Sequence, residues 1–152
     1  MRRVPSGPGA GRPQYIVTGG LVILELHENV YIPRSAGGVF LRRYREREGW
    51  DESGNRRRYV YVDRVFSDKS NKGFENLRHT PILRINGMEI SEIADVPKAM
   101  AAPKGNFHVF EFEGVAADFA IEASKLAEID ARVAESYRIP KMRHLRGDPE
   151  GE

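Results

Sequence analysis

The sequence predicts an α+β fold built on a mainly antiparallel sheet. Three observations support this class: several short runs rich in β-branched or aromatic residues, an Asn-Gly dipeptide between two of them, and two helical segments bounded by Pro or Gly. Strands that are joined by tight turns pair in the antiparallel sense. The 152 residues suffice for one continuous hydrophobic core.

The N-terminal half predicts a strand, a helix and a loop. Tyr15–Val17 and Leu21–Leu26 form one strand region, interrupted by a tight loop or bulge at Gly19-Gly20. Residues 38–48 predict a short helix, because Val39, Phe40 and Tyr44 suit one face and the arginines suit the other. Residues 51–57 have the Gly, Asn and Asp composition of an exposed loop.

The C-terminal half alternates strands and helices. The predicted strands are Tyr59–Val65, Pro81–Ile85, Met88–Ile90, Phe107–Phe112 and Asp118–Ile121, with a tight turn at Asn86-Gly87. One helix starts near Ser91 or Ile93 and ends before Pro103. A last helix covers Ser124–Tyr137 and stops before Pro140.

Composition excludes several classes of protein. Apolar residues make up 40% of the chain and charged residues 30%, which is typical of a globular protein rather than a disordered one. The net charge of +2 and the pI near 9.0 indicate no surface dedicated to polyanions. Without cysteine, the chain has no disulfide, no thiolate nucleophile and no Cys-based zinc site.

Both ends differ from the middle in composition. Residues 1–13 are rich in Pro and Gly and predict a disordered linker, and residues 146–152 predict a polar disordered tail, which leaves an ordered domain over 14–145. The longest apolar run, Leu21–Leu24, is too short to span a bilayer, and the N-terminus lacks the apolar segment of a secretory signal. We expect a soluble, unexported chain of unknown compartment.

Five ordered blocks and an opening motif carry a family resemblance. The blocks are Val62–Asp68, Asn71–Leu77, Ile82–Ile90, Val109–Glu113 and Ser136–Pro140, and the opening is Tyr15–Val22. Together they resemble the C-terminal PDZ-like domain of Deg/HtrA (Do-like) serine proteases, particularly the plant-type branch. The resemblance implies a PDZ-like, partly closed sheet or barrel with two or three helices.

The resemblance also implies a peptide-binding groove. A PDZ domain binds an extended peptide at a strand edge, and backbone amides of a loop hold its terminal carboxylate. The implied carboxylate-binding loop is Thr18, Gly19, Gly20 and Leu21, the groove strand contains Val22, Ile23 and Leu24, and the groove helix contributes Val96, Ala99 and Met100. Alternatively, the glycines form a simple bulge, the helix residues belong to the core, and the groove is closed or self-occupied.

The chain lacks the catalytic parts of this family. Deg proteases carry an upstream catalytic domain with a serine in a Gly-Asn-Ser-Gly-Gly setting, which is absent here. Ser53 is the nearest match, but it lacks the flanking glycine of a nucleophile elbow. We therefore expect a non-enzymatic regulatory module whose partners are protease subunits, protein C-terminal peptides or a second copy of itself.

The insertion Val39–Arg58 is the candidate docking interface. It contains seven arginines and four acidic residues. The candidate contact residues are Arg42, Arg43, Tyr44, Arg47 and Trp50. A solvated, salt-bridged surface is the simpler interpretation. A third alternative is a basic and aromatic patch for single-stranded nucleic acid, which the interspersed acids disfavour.

The remaining polar residues predict little chemistry. His27, His79, His108 and His144 show no metal-ligand spacing, so neither a metal nor another cofactor is expected. His108 is expected on the exposed face of its strand. Glu111 and Glu113 alternate with phenylalanines and are expected to solubilise the outer face.

Overall fold

The structure, a computed structural model, describes residues 14–25 and 60–145. Several sequence predictions lie outside these residues: the linker 1–13, the helix over 38–48, the loop over 51–57, the insertion Val39–Arg58 and the tail 146–152. They stay predictions.

Eight strands and two α-helices make up the described chain. The strands are β1 (Tyr15–Thr18), β2 (Leu21–Glu25), β3 (Val60–Val65), β4 (Thr80–Ile85), β5 (Met88–Glu89), β6 (Phe107–Phe112), β7 (Phe119–Glu122) and β8 (Arg143–His144). The helices are α1 (Asp95–Met100) and α2 (Leu126–Ser136), and 3₁₀ turns cover Lys69–Asn71 and Ala123–Lys125. The expected α+β class with an antiparallel sheet is confirmed.

The sheet is open rather than barrel-like. Its strands follow the order β7-β6-β4-β3-β2-β1-β8, and β5 pairs with β4 beside this path. All described pairings are antiparallel. Consequently β1 lies near one end of the described sheet, where the two-residue strand β8 pairs with its outer edge.

The Gly19-Gly20 pair forms a two-residue hairpin turn. Thr18 pairs with Leu21, and both glycines have positive φ, +60° and +85°, which a type I′ turn requires. A Cβ on Gly20 would collide with the side-chain amide of Asn71 and with the carbonyl oxygen of Phe66. Glycine is therefore required here both by the backbone conformation and by the space behind the turn.

The hydrophobic core fills one face of the sheet beneath the helices. Alternation along β2 and β6 buries Leu21, Ile23, Phe110 and Phe112. From the helices, Val96 and Ala99 of α1 and Ile129 and Val133 of α2 complete the same cluster. This packing fixes both helices relative to β1, which determines the shape of the site described below.

The observed helices are shorter than predicted. Helix α1 begins only at Asp95, whose carboxylate accepts hydrogen bonds from the backbone N–H groups of Ser91 and Glu92. Helix α2 begins after a 3₁₀ turn and ends where Arg138 adopts a φ of +56°. Strand β6, by contrast, has the predicted bounds.

The prediction that His108 is exposed was wrong. His108 is only 5% exposed, because side chains two apart in a strand share a face and His108 shares its face with Phe110 and Phe112. Its Nδ1 atom lies 3.1 Å from the side-chain nitrogen of Asn86. Burial lowers the pKa of His108 below its ordinary value. Glu111 lies on the other face, 3.4 Å from Arg84.

Candidate functional site

A pocket of about 390 Å³ lies between β1 and the C-terminal part of α1. It is lined by Ile16, Val17 and Thr18 of β1, by Val96, Pro97, Met100 and Ala101 at α1, by Leu126 and Asp130 of α2, and by Met142 and Arg143. Apolar walls with a few polar groups at one end are typical of a binding pocket.

The helix wall of the pocket is held in place from behind. The side chain of Asn86, in the β4–β5 turn, donates a hydrogen bond of 2.9 Å to the carbonyl oxygen of Ala99. Its oxygen accepts a bond of 2.8 Å from the backbone N–H of Val109. One side chain therefore ties α1 to the sheet.

The strand wall of the pocket is already paired. Strand β8 adds to the outer edge of β1, with Tyr15 opposite His144 and Ile16 opposite Arg143. The backbone N–H of Val17 donates to the carbonyl oxygen of Met142 at 2.7 Å. A PDZ ligand adds to a strand edge in the same way, so the chain supplies its own strand at the edge of β1.

The polar end of the pocket contains a carboxylate from α2. One oxygen of Asp130 accepts a hydrogen bond of 2.8 Å from the backbone N–H of Gly19, and the other accepts one of 3.1 Å from the hydroxyl of Thr18. Burial raises the pKa of Asp130, and these two hydrogen bonds partly oppose that rise because they stabilise the ionised form. The glycine turn therefore holds an anion that belongs to the same chain.

Two further contacts brace the turn and α2. The side-chain nitrogen of Asn71 donates to the carbonyl oxygens of Gly19 and Phe66, at 3.1 and 3.0 Å. Arg132, two residues after Asp130, makes two hydrogen bonds of 2.8 Å to the carboxylate of Asp68. The pKa of Asp68 is held far below its usual range, chiefly by the hydrogen bond from Arg132. Asp68 also caps the 3₁₀ turn that carries Asn71.

Two of the four predicted loop residues and the predicted groove-helix residues lie in or beside this pocket. Thr18 lines it, Gly19 binds its carboxylate, and Val96 and Met100 form its helix wall, while Ala99 is buried behind them. Gly20 packs against Asn71 instead.

The predicted groove strand lies elsewhere. Leu21 and Ile23 are fully buried, and Val22 and Leu24 lie on the opposite face of β2. Strand β2 pairs with β1 on one side and β3 on the other. It cannot accept a peptide strand while these pairs persist, so the edge that the pocket presents belongs to β1.

Sequence reasoning missed Asp130, Met142 and the Asp68–Arg132 pair. Nothing local marks Asp130, because its partner is 111 residues away. Only the Asp68 cap has a sequence signal, since Asp followed three residues later by a polar side chain favours a capped turn.

Other candidate residues do not join the site. The contact residues Arg42, Arg43, Tyr44, Arg47 and Trp50, together with His27 and Ser53, lie outside the described residues. Within 14–25 and 60–145, no group of three or more His, Asp or Glu residues is arranged to hold a metal ion. In the same residues, no helix is long and apolar enough to cross a membrane.

Comparison with known proteins defines the class. A family model described as PDZ domain matches residues 4–144, and the chain therefore belongs to the PDZ domain family. A PDZ domain is a non-catalytic, protein-binding module. The chain is 26% identical over 141 residues to "Protease Do-like 2, chloroplastic" of Arabidopsis thaliana, which confirms the resemblance to Do-like proteases. The match covers 92% of this chain but only 23% of that protein, so the chain spans about a quarter of its relative.

Proposed function

We propose that this chain is a regulatory module of a Deg/HtrA-type serine protease and acts by docking protease subunits. The observation that carries the proposal is that the chain itself fills the peptide-binding elements of the pocket between β1 and α1, with β8 on the strand edge and Asp130 on the loop, which leaves surfaces outside the pocket for a partner. The similarity to one region of a Do-like protease supports the choice of partner.

Docking of a subunit is favoured over capture of a peptide C-terminus. A C-terminal peptide needs a free strand edge and free loop amides. Here β8 pairs with the edge of β1, and Asp130 accepts the hydrogen bond of Gly19. A folded partner can instead bind surfaces outside the groove, such as the predicted interface around Arg47 and Trp50.

In this role the chain contributes binding and the partner contributes catalysis. The sequence contains no serine in the Gly-Asn-Ser-Gly-Gly setting of the catalytic domain. Loss of the module should therefore change assembly or substrate access, and leave cleavage of a small peptide substrate intact.

The test is a domain exchange in the Arabidopsis relative. The matching segment of Protease Do-like 2 is either deleted or replaced by this chain, and the size of each protein is measured by sedimentation velocity. We expect deletion to reduce the assembly and the replacement to restore it. If the replaced protein assembles no better than the deleted one, docking of protease subunits is refuted.

A matched pair of variants then locates the interface. Trp50→Ala in the exchanged protein should weaken assembly, because aromatic residues contribute most at interface centres. Arg64→Ala, at an exposed position on β3, is the control and should leave assembly unchanged. Equal assembly by both variants would remove the predicted interface.

A further inference from the structure

The Gly19-Gly20 turn and the adjoining Thr18 bind an anion, the carboxylate of Asp130. The positive φ of Gly19 lets its backbone N–H point at the carboxylate of Asp130, at 2.8 Å, while the hydroxyl of Thr18 binds the second oxygen at 3.1 Å. One backbone N–H and one hydroxyl thus converge on the two carboxylate oxygens, and the N–H is of the kind by which a PDZ loop holds a terminal carboxylate.

This contact accounts for the placement of Asp130. A carboxylate that is withdrawn from water is costly unless hydrogen bonds or a cation compensate. Within the described residues, its hydrogen bonds come from the turn. Arg143 also lines the pocket, at its β8 side. The Gly19 N–H and the Thr18 hydroxyl are thus already hydrogen-bonded to the carboxylate of Asp130.

Helix α2 is anchored so that Asp130 stays in this position. Arg132 lies on the same helix and binds both oxygens of Asp68, and Ile129 and Val133 are buried in the core. Asn71 holds the carbonyl oxygen of Gly19 from the other side of the turn. The 3₁₀ turn that carries Asn71 therefore links the two elements, because Asn71 binds the glycine turn and Asp68, which caps that 3₁₀ turn, binds Arg132 of α2.

We infer that Asp130 is a specificity-determining residue, an internal anion that excludes free C-terminal carboxylates from this pocket. The inference rests on the proposed function, since it supposes that the pocket belongs to a PDZ-type binding module. A second carboxylate at the turn would face the charge of Asp130 and find the Gly19 N–H engaged, and like charges brought together oppose binding. Strand β8 acts in the same direction, because it pairs with the strand edge that such a peptide would use.

The test compares one apolar Val/Ala hexapeptide in two forms, with a free and with an amidated C-terminus. Both are titrated into the ¹⁵N-labelled full chain, and the amide signal of Gly19 is followed by NMR. The variants are Asp130→Ala, Asp130→Asn and the control Glu135→Ala, which removes one negative charge from an exposed position of the same helix.

In the native chain and in Glu135→Ala, we expect no shift at Gly19 with either peptide up to about 1 mM. In Asp130→Ala, β8 still pairs with β1, so the free peptide should bind weakly, through its terminal carboxylate at the freed Gly19 N–H. It should nevertheless bind at least about tenfold more tightly than the amidated one, because the repulsion is removed and a carboxylate accepts this hydrogen bond better than an amide. If Asp130→Ala does not fold, Asp130→Asn tests the charge alone, since its side-chain oxygen still accepts from the Gly19 N–H; loss of the negative charge should still make the free peptide bind more tightly than the amidated one, by a smaller factor.

Two results would overturn the inference. One is a native chain that binds the free peptide at Gly19 as tightly as the Asp130 variant does. The other is a folded Asp130 variant without preference for the free carboxylate. Either result leaves the domain exchange unaffected, because that experiment measures assembly rather than binding of termini. Conversely, failed assembly together with a gain of carboxylate binding would refute subunit docking alone.

Discussion

Replacing Gly20 by Ala tests whether the hairpin turn needs glycine for its backbone, for the space behind it, or for both. A matched control exists in the same sheet. Gly87 has nearly the same φ as Gly20, +82° against +85°. A Cβ on Gly87 meets nothing within 4 Å, whereas one on Gly20 collides with Asn71 and Phe66.

The two substitutions separate two free-energy costs. Gly87→Ala should lower the free energy of unfolding by about 1–2 kcal/mol, the cost of a left-handed backbone for a residue with a Cβ. Gly20→Ala carries this cost and, in addition, about 1–3 kcal/mol for overpacking against a fixed neighbour. Displacing Asn71 would also weaken its hydrogen bonds to Gly19 and Phe66. We expect a total of about 2–5 kcal/mol for Gly20→Ala.

Urea denaturation of both variants and the native chain measures the difference directly, provided that the m-value stays constant. The midpoint for Gly20→Ala should be the lowest of the three. If Gly20→Ala is no less stable than Gly87→Ala, the space behind the turn is not restrictive, and the claim that Asn71 braces it from that side is wrong.

Two further predictions concern charged and titrating groups. Burial lowers the pKa of His108 in the folded chain, so the unfolded chain binds a proton more readily. The stability that depends on neutral His108 is therefore fully present above about pH 6.5, the ordinary histidine pKa, and is lost as the pH falls below that value. Urea titrations between about pH 8 and 5 should show this loss of stability, and His108→Gln, which keeps an acceptor for Asn86, should reduce it. If the free energy of unfolding falls with pH equally steeply in His108→Gln and in the native chain, His108 is not the cause of the loss. Asp68→Asn removes the charge that binds Arg132, so α2 should be held less firmly against the turn and the Gly19 N–H should exchange faster with solvent. Glu75→Gln, at an exposed position, is the control and should not alter that exchange. Equal exchange rates in the two variants would show that the Asp68–Arg132 ion pair does not hold α2 against the turn.

Local features of the fold were predictable because the sequence encodes them within a few residues. Strand β6 matched its predicted bounds, since alternating aromatic residues favour a half-buried strand. The turn at Asn86-Gly87 also formed as expected, with φ values of +54° and +82° that these two residue types tolerate. The family resemblance followed from such blocks in their order along the chain.

The contacts that define the pocket were not predictable in this way. His108, which lies outside the pocket, is a different case: alternation along β6 places it on the face of Phe110 and Phe112, although histidine is a polar residue. Whether β1 or β2 presents an edge depends on which strands pair with each, and β8 comes from the far end of the chain.

The sequence alone determined the class of this protein: the order of strands, turns and helices of a PDZ domain, and its relation to Do-like proteases. Only the tertiary structure decided how the binding pocket is occupied. Asp130 meets Gly19 across 111 residues, and β8 meets β1 across the whole described chain. Such contacts depend on how the core orients distant elements, and no pattern of neighbouring residues specifies that orientation.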